Sequence, residues 1–159
     1  MVTKLRAEVT AISSIPVLIG PHKGNVKSAS GVSMTVDFTF ETCRSTFFDG
    51  LFFPSGGNTG EEQTAYSAKM GESGRLIHAA REAYLHHKTI GACGLAVEWL
   101  RNVALPNEIL GTFDGVCVLN GIVLCARDTQ AIASKFTEAF LGEVAKHRTW
   151  GRDVSRVAA

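Results

Sequence analysis

Nowhere in its 159 residues does this chain string together the roughly 20 apolar residues that a membrane-spanning helix requires. A membrane partner is therefore not expected. A Cys-x-x-Cys pair is also missing, and no Cys or His pair stands at zinc-ligand spacing, so no metal is expected. Charge of one sign is not in excess: 16 Lys and Arg face 15 Asp and Glu, a formal net charge of +1, which gives nucleic acid no electrostatic handle. The opening residues Met1 to Glu8 lack the apolar centre of an export signal, from which a soluble, cytoplasmic location is expected. Internal repeats and linker-like stretches are absent too, so a single domain is expected over residues 1–150, with 151–159 read as a frayed tail.

What is present is an alternation of two periodicities. Val2, Leu5, Val9 and Ile12 recur at helical spacing, predicting an amphipathic helix over 2–13. The run from Ile15 to Ile19, closed by Gly20-Pro21, reads as a short buried strand. Residues 25–36 carry a hairpin signal around Ser30-Gly31. Leu51 to Pro54 reads as a buried strand that enters the turn Ser55-Gly56-Gly57-Asn58-Thr59-Gly60. Thr59, Glu61 and Glu62 then suit a helix start.

A helix follows over 74–87, then a strand over Ile90 to Cys93 and a helix over Leu95 to Val103. Strand-like runs cover 115–119 and 122–126, with Asp128 placed to cap the last helix. That helix carries Ile132, Phe136, Phe140 and Val144 on one face. Strands alternating with helices predict a mostly parallel sheet covered by helices. The four cysteines, Cys43, Cys93, Cys117 and Cys125, read as isolated buried hydrophobes.

Two junctions could carry chemistry, since ligands in open α/β sheets gather beyond the carboxyl ends of strands. At the first, Ser55, Gly56 and Gly57 form either an anion-binding nest of backbone N–H groups or a tight turn needing positive φ. At the second, Ile90-Gly91-Ala92-Cys93-Gly94-Leu95 runs from strand into helix, where a nucleophile would sit in an enzyme. A thiol nucleophile needs a base in reach, and Gly91, Ala92, Gly94 and Leu95 supply none. Six phenylalanines, Phe38, Phe40, Phe47, Phe48, Phe52 and Phe53, crowd into one stretch. Phe47 and Phe48 are adjacent and cannot both point inward from a strand, so one of them is expected on the surface.

The segment Asp49-Gly50-Leu51-Phe52-Phe53-Pro54-Ser55-Gly56-Gly57 resembles the acidic, apolar, Pro-Gly-Gly element of the PfpI-like superfamily. Lys88-Thr89-Ile90-Gly91-Ala92-Cys93-Gly94-Leu95-Ala96 is similar to the elbow region of the C-terminal domain of large-subunit catalases. The ending His147-Arg148-Thr149-Trp150-Gly151-Arg152 resembles the tail of those domains. The resemblance implies a flavodoxin-like, class I glutamine-amidotransferase-like three-layer sandwich, here apparently without the family's first strand. It implies a vestigial elbow, because the nucleophile of the catalytic relatives falls at Gly94, with Cys93 one residue early.

It further implies no cofactor in this domain, haem belonging to the core of the parent catalase. The domain would be a non-catalytic accessory, stabilising the parent oligomer with catalase core domains and sister subunits as partners. It would also act as a holdase chaperone for unfolded client proteins, with Phe47 and Phe48 as the candidate surface. The alternative is a PfpI-type thiol enzyme, a glyoxalase, deglycase or peptidase, using Cys93.

Overall fold

A computed structural model describes the chain except residues 29, 30, 57–59, 107, 110, 128, 129, 156, 158 and 159. Helix α1 (Val2–Ala11) buries Leu5 and packs it, with Val9, against the cluster around Val123, Phe136 and Phe140. It stops two residues short of the predicted end, at a turn in which Ser13 takes positive φ. The predicted strand over Ile15 to Ile19 shrinks to β1 (Ile19–Gly20). Ile15 is 87% exposed. Its run is apolar, but among the described residues the ladder with the following strand reaches back only to the Leu18 carbonyl, which accepts the Phe38 N–H at 3.2 Å, and Pro16 brings no N–H to a ladder.

The hairpin is present as β2 (Gly24–Lys27) and β3 (Ser33–Val36), antiparallel, with Asn25 opposite Thr35. Its apex residue Ser30 lies outside the described residues. The short β4 (Phe38–Thr39) returns to pair with β1 in parallel.

The main sheet is built from β5 (Gly50–Phe53), β6 (Thr89–Cys93), β7 (Val116–Leu119) and β8 (Ile122–Cys125), in the order β5-β6-β8-β7. The first three strands in that order are parallel, and β7 turns back antiparallel on β8. This is the expected α/β architecture with a mostly parallel sheet. Every residue of β6 and of β8 is buried, as continuous apolar runs in a parallel sheet require.

Helices α2 (Gly60–Glu72), α3 (Gly74–Leu85) and α4 (Leu95–Trp99) cover one face over Leu51, Phe53, Ile90, Ala92, Ile122 and Leu124. Glu61 and Glu62 sit in the first turn of α2, where the dipole favours them, while Thr59 is outside the described residues. Ser73 caps α3 by accepting the Leu76 N–H. The predicted helix from Leu95 to Val103 relaxes after Trp99 into one π-helical segment, Leu100–Ala104. Helix α5 (Gln130–Ala145) covers the opposite face with Phe136 and Phe140. Its predicted cap, Asp128, lies outside the described residues.

The ending is not frayed at Arg152, which is only 4% exposed. Its guanidinium donates to the carbonyls of Tyr84 at 3.0 Å, Lys88 at 3.1 Å and Asn120 at 2.7 Å, and its carbon lies 4.5 Å from the centre of the Tyr84 ring. One side chain thus ties the end of α3, the entry to β6 and the β7–β8 turn together. Sequence reading missed this because an Arg near a terminus ordinarily stays in water. Arg152→Ala strips donors from three carbonyls and is expected to cost about 3 kcal/mol. Arg152→Lys should recover only part of that, since an ammonium cannot reproduce the planar fork. Urea unfolding of the two variants measures both.

Candidate functional site

The elbow forms where β6 ends and α4 begins. Gly94 stands there at φ 53°, ψ −125°, the strained strand-to-helix corner on which a nucleophile would be presented. It has no side chain to present. A Cβ built at Gly94 would come within 2.4 Å of Ser55 Oγ and 2.9 Å of Ser55 Cβ, so the space a nucleophile would need is already filled. Cys93, one residue earlier, turns the other way, as the period of two along a strand dictates. It is fully buried in the cluster with Val123, Cys125 and Phe136, and its Sγ receives the Ser55 N–H at 3.2 Å. His86 and His87 precede β6 and His147 lies 3.6 Å from Asp49 ahead of β5, so these three sit at the opposite end of the strands from Cys93.

The Ser55-Gly56 turn closes against α2. Tyr66 donates its hydroxyl to the Pro54 carbonyl, and its ring would lie 2.0 Å from a Cβ at Gly56. Gly56 is therefore needed for the close approach of an aromatic ring. Gly57, the third residue of the candidate nest, lies outside the described residues. Ser55, Gly56, Cys93 and Gly94 are brought together, but as packed neighbours.

Phe47 and Phe48 lie elsewhere, where β5 begins. Arg44 leads into a single 3-10 turn, Ser45–Phe47, clamped onto α3. The Ser45 N–H donates to Glu82 Oε2 at 3.0 Å, Ser45 Oγ lies 3.2 Å from His86 Nδ1, and Lys88 Nζ donates to the Phe48 carbonyl. Phe48 meets Phe38 edge to face at 5.9 Å, while Phe47, at 6.3 Å from Phe48, is 63% exposed. One ring turns in and its neighbour out.

Trp150, 76% exposed, lies over the His87 ring at 5.3 Å, just before β6. Two exposed aromatics thus flank the end of the sheet where β5 and β6 start. The sequence signal for Trp150 was its place in the resemblance-bearing tail; nothing in its local pattern marked it as exposed.

Among the described residues, no group of three or more His, Cys, Asp and Glu is placed to hold a metal ion. No helix among them is long and apolar enough to cross a membrane.

Residues 2–152 match the family described as the C-terminal domain found in long catalases. Catalase-1 of Neurospora crassa is 32% identical over 160 residues, covering 93% of this chain and 21% of that protein. Catalase HPII of Mycobacterium avium is 29% identical, covering 91% of this chain and 19% of its own length. The chain therefore spans about a fifth of the length of these relatives. Among solved structures, a ThiJ/PfpI domain protein from Brachyspira murdochii superposes with a TM-score of 0.72 at 12% identity, over 91% of this chain and 87% of that one. A two-domain protein from Anabaena variabilis, with dj-1/thij/pfpi-like and ferritin-like domains, gives 0.68 at 14% identity, over 89% and 44%. The shared fold is the ThiJ/PfpI-like, flavodoxin-like sandwich.

Gly94→Cys forces an L-residue into positive φ against Ser55 and should destabilise the chain by about 2 to 4 kcal/mol. Adding Ser55→Gly should relieve the collision and leave only the backbone strain; thermal unfolding of the single and double variants separates the two. The Phe47 turn carries a pH signature. Burial pushes the Glu82 carboxyl up, but the Ser45 N–H and hydroxyl and the nearby His78 and His86 outweigh it and hold it below its ordinary value of 4.5. Because the folded value lies below the unfolded one, its stabilisation is complete above about pH 4.5 and is lost as pH falls through the folded value. Glu82→Gln should flatten that part of the stability–pH curve, read by unfolding at stepped pH.

Proposed function

The chain belongs to the family of C-terminal domains found in long catalases, and from that premise we propose that it is a non-catalytic accessory domain with two tasks. It steadies the assembly of a parent catalase by packing on the core domains and sister subunits, and it acts as a holdase for unfolding proteins.

The observation that carries the non-catalytic half is the elbow. Its corner at Gly94 is retained in the backbone, while Ser55 fills the space where a nucleophile would project. The thiol alternative would ask a fully buried Cys93 to reach a substrate. Haem chemistry belongs to the parent's core, and nothing in this domain is assigned to it.

The exposed pair Phe47 and Trp150 supports the docking half. Large aromatics left in water at one end of a sheet, on a turn fixed by Ser45, Glu82 and Lys88, suit a rigid apolar contact with another protein.

Light scattering of a heat-labile client enzyme, with and without a stoichiometric amount of this chain, tests the holdase. Suppressed scattering is expected, reduced at least twofold in effectiveness by Phe47→Ser, with the variant's own unfolding transition unchanged. Undiminished scattering with the wild-type chain removes the holdase and leaves the assembly role.

A further inference from the structure

Hairpin β2–β3 is a sheet of its own, joined to no further strand among the described residues. Of its paired residues only Val36 is buried. A lone two-stranded ribbon is marginal in water and needs more strands or a helix against it. Helix α1 stands off instead. Between its Thr3 and Arg6 and the hairpin's Val32 to Thr35 runs an open groove of about 340 Å³, with Asp37 also on its wall. Val32, Ser33, Met34 and Thr35 all line it, although successive side chains of a strand point to opposite faces, so the groove follows the edge of β3 rather than one face.

The register fixes which backbone groups line that edge. Ser28 donates its N–H to the Val32 carbonyl at 2.8 Å, which makes Ser28 and Val32 a hydrogen-bonded pair. Counting along the ladder, Met34 with Val26 and Val36 with Gly24 are bonded pairs as well. Ser33 and Thr35, opposite Lys27 and Asn25, therefore turn their N–H and C=O outward, and among the described residues no backbone hydrogen bond engages them. The two edges of the ribbon are guarded unequally. Strand β2 carries Lys27, with Lys23 just ahead of it, whereas Gly31 to Val36 holds neither a charge nor a proline.

We infer that the β3 edge is a self-association site, and that its occupant is the β3 edge of a second copy of this chain. Antiparallel pairing about a twofold axis through Met34 lets Ser33 exchange both backbone bonds with the partner's Thr35, and Thr35 with the partner's Ser33. The outward groups stand two residues apart, the interval at which an antiparallel ladder repeats its bonded pairs, so the edge is complementary to itself. Two ribbons joined in this way make a sheet of four strands, which no longer depends on cover from α1. Charge points to the same occupant. The groove holds one cation, Arg6, which makes no ion pair among the described residues, and one anion, Asp37, so a twofold axis sets each sign against the other. One strand edge buries less than the roughly 1,200 Å² of a stable interface, so the association is weak and concentration-dependent. The inference names a contact for the sister-subunit half of the assembly reading, and rests on that reading for its setting in a larger protein.

Sedimentation of the full 159-residue chain tests the site. The mean mass should climb from 17.0 kDa toward twice that value between about 10 μM and about 1 mM. Thr35→Pro deletes an outward N–H while leaving the β2 ladder bonded, and should weaken association about tenfold or more with an unchanged unfolding transition. Thr35→Lys, which guards the edge with a charge, replaces it if that variant fails to fold. In a mixture of isotope-labelled and unlabelled chains, the α-hydrogens of Met34 and of the partner's Met34 should show a direct magnetisation transfer, since the two stand as a close, non-hydrogen-bonded pair. A chain that stays monomeric throughout overturns the site, and leaves the holdase and the packing on core domains untouched. A dimer that lacks the Met34 signal and ignores both Thr35 substitutions overturns it too, and gives the association to another surface. Association as expected, with a parent catalase whose heat stability ignores Thr35→Pro, keeps the site and removes its part in assembly.

Discussion

The rest of the molecule hangs on the hydrogen bonding of one strand. Strand β6 is flanked by parallel partners on both edges and covered on both faces, and all five of its residues are buried. A strand so placed cannot slip, because a shift of one residue would exchange Ile90 and Ala92 for Gly91 and Cys93 between two differently shaped faces. Its two ends therefore become fixed points. At its entry the Lys88 carbonyl is held by Arg152 and the Lys88 ammonium reaches Phe48, which sets the turn carrying Phe47. At its exit, Gly94 must turn into α4 beneath Ser55. The aromatic surface and the vacant elbow are two ends of the same constraint.

Much of this could be read in the sequence. The apolar runs at Leu51, Ile90 and Ile122 marked three strands of the main sheet; at Ile90 and Ile122 burial on both faces leaves an unbroken signature, while at Leu51 buried and partly buried residues alternate. The displacement of Cys93 from the elbow position followed from counting residues. Other parts depended on neighbours that no local pattern encodes. Ile15 to Val17 has the composition of a strand but, among the described residues, no partner strand to pair with. Gly56 does not take the positive φ that a tight turn would have asked of it; the Tyr66 ring from α2, which no local pattern encodes, is what leaves no room for a side chain there. Arg152 looked like a solvated terminal charge, and only the convergence of three carbonyls from distant segments makes its burial favourable. The antiparallel turn of β7 on β8 needs only the short Asn120-Gly121 connection, both residues at positive φ.

The comparison with ThiJ/PfpI-like folds sets the elbow in context. Here the strand-to-helix corner at Gly94 carries no side chain, and Ser55 lies against the space above it. The corner still has a structural use, since it turns β6 directly into α4 and so brings Trp99 onto Phe53 at 5.1 Å.

The withdrawal of the thiols has a consequence for durability. Sulfur is oxidised through its thiolate, and chiefly where solvent reaches it. Cys93 and Cys125 are fully buried, and the partly buried Cys43 has its thiol held in the protonated form, first by burial and then by the charge of Glu82. With its elbow cysteine folded inward, the domain leaves Cys117, partly buried on β7, as the thiol nearest to a passing oxidant, so that oxidation would fall on the antiparallel margin of the sheet and spare its centre.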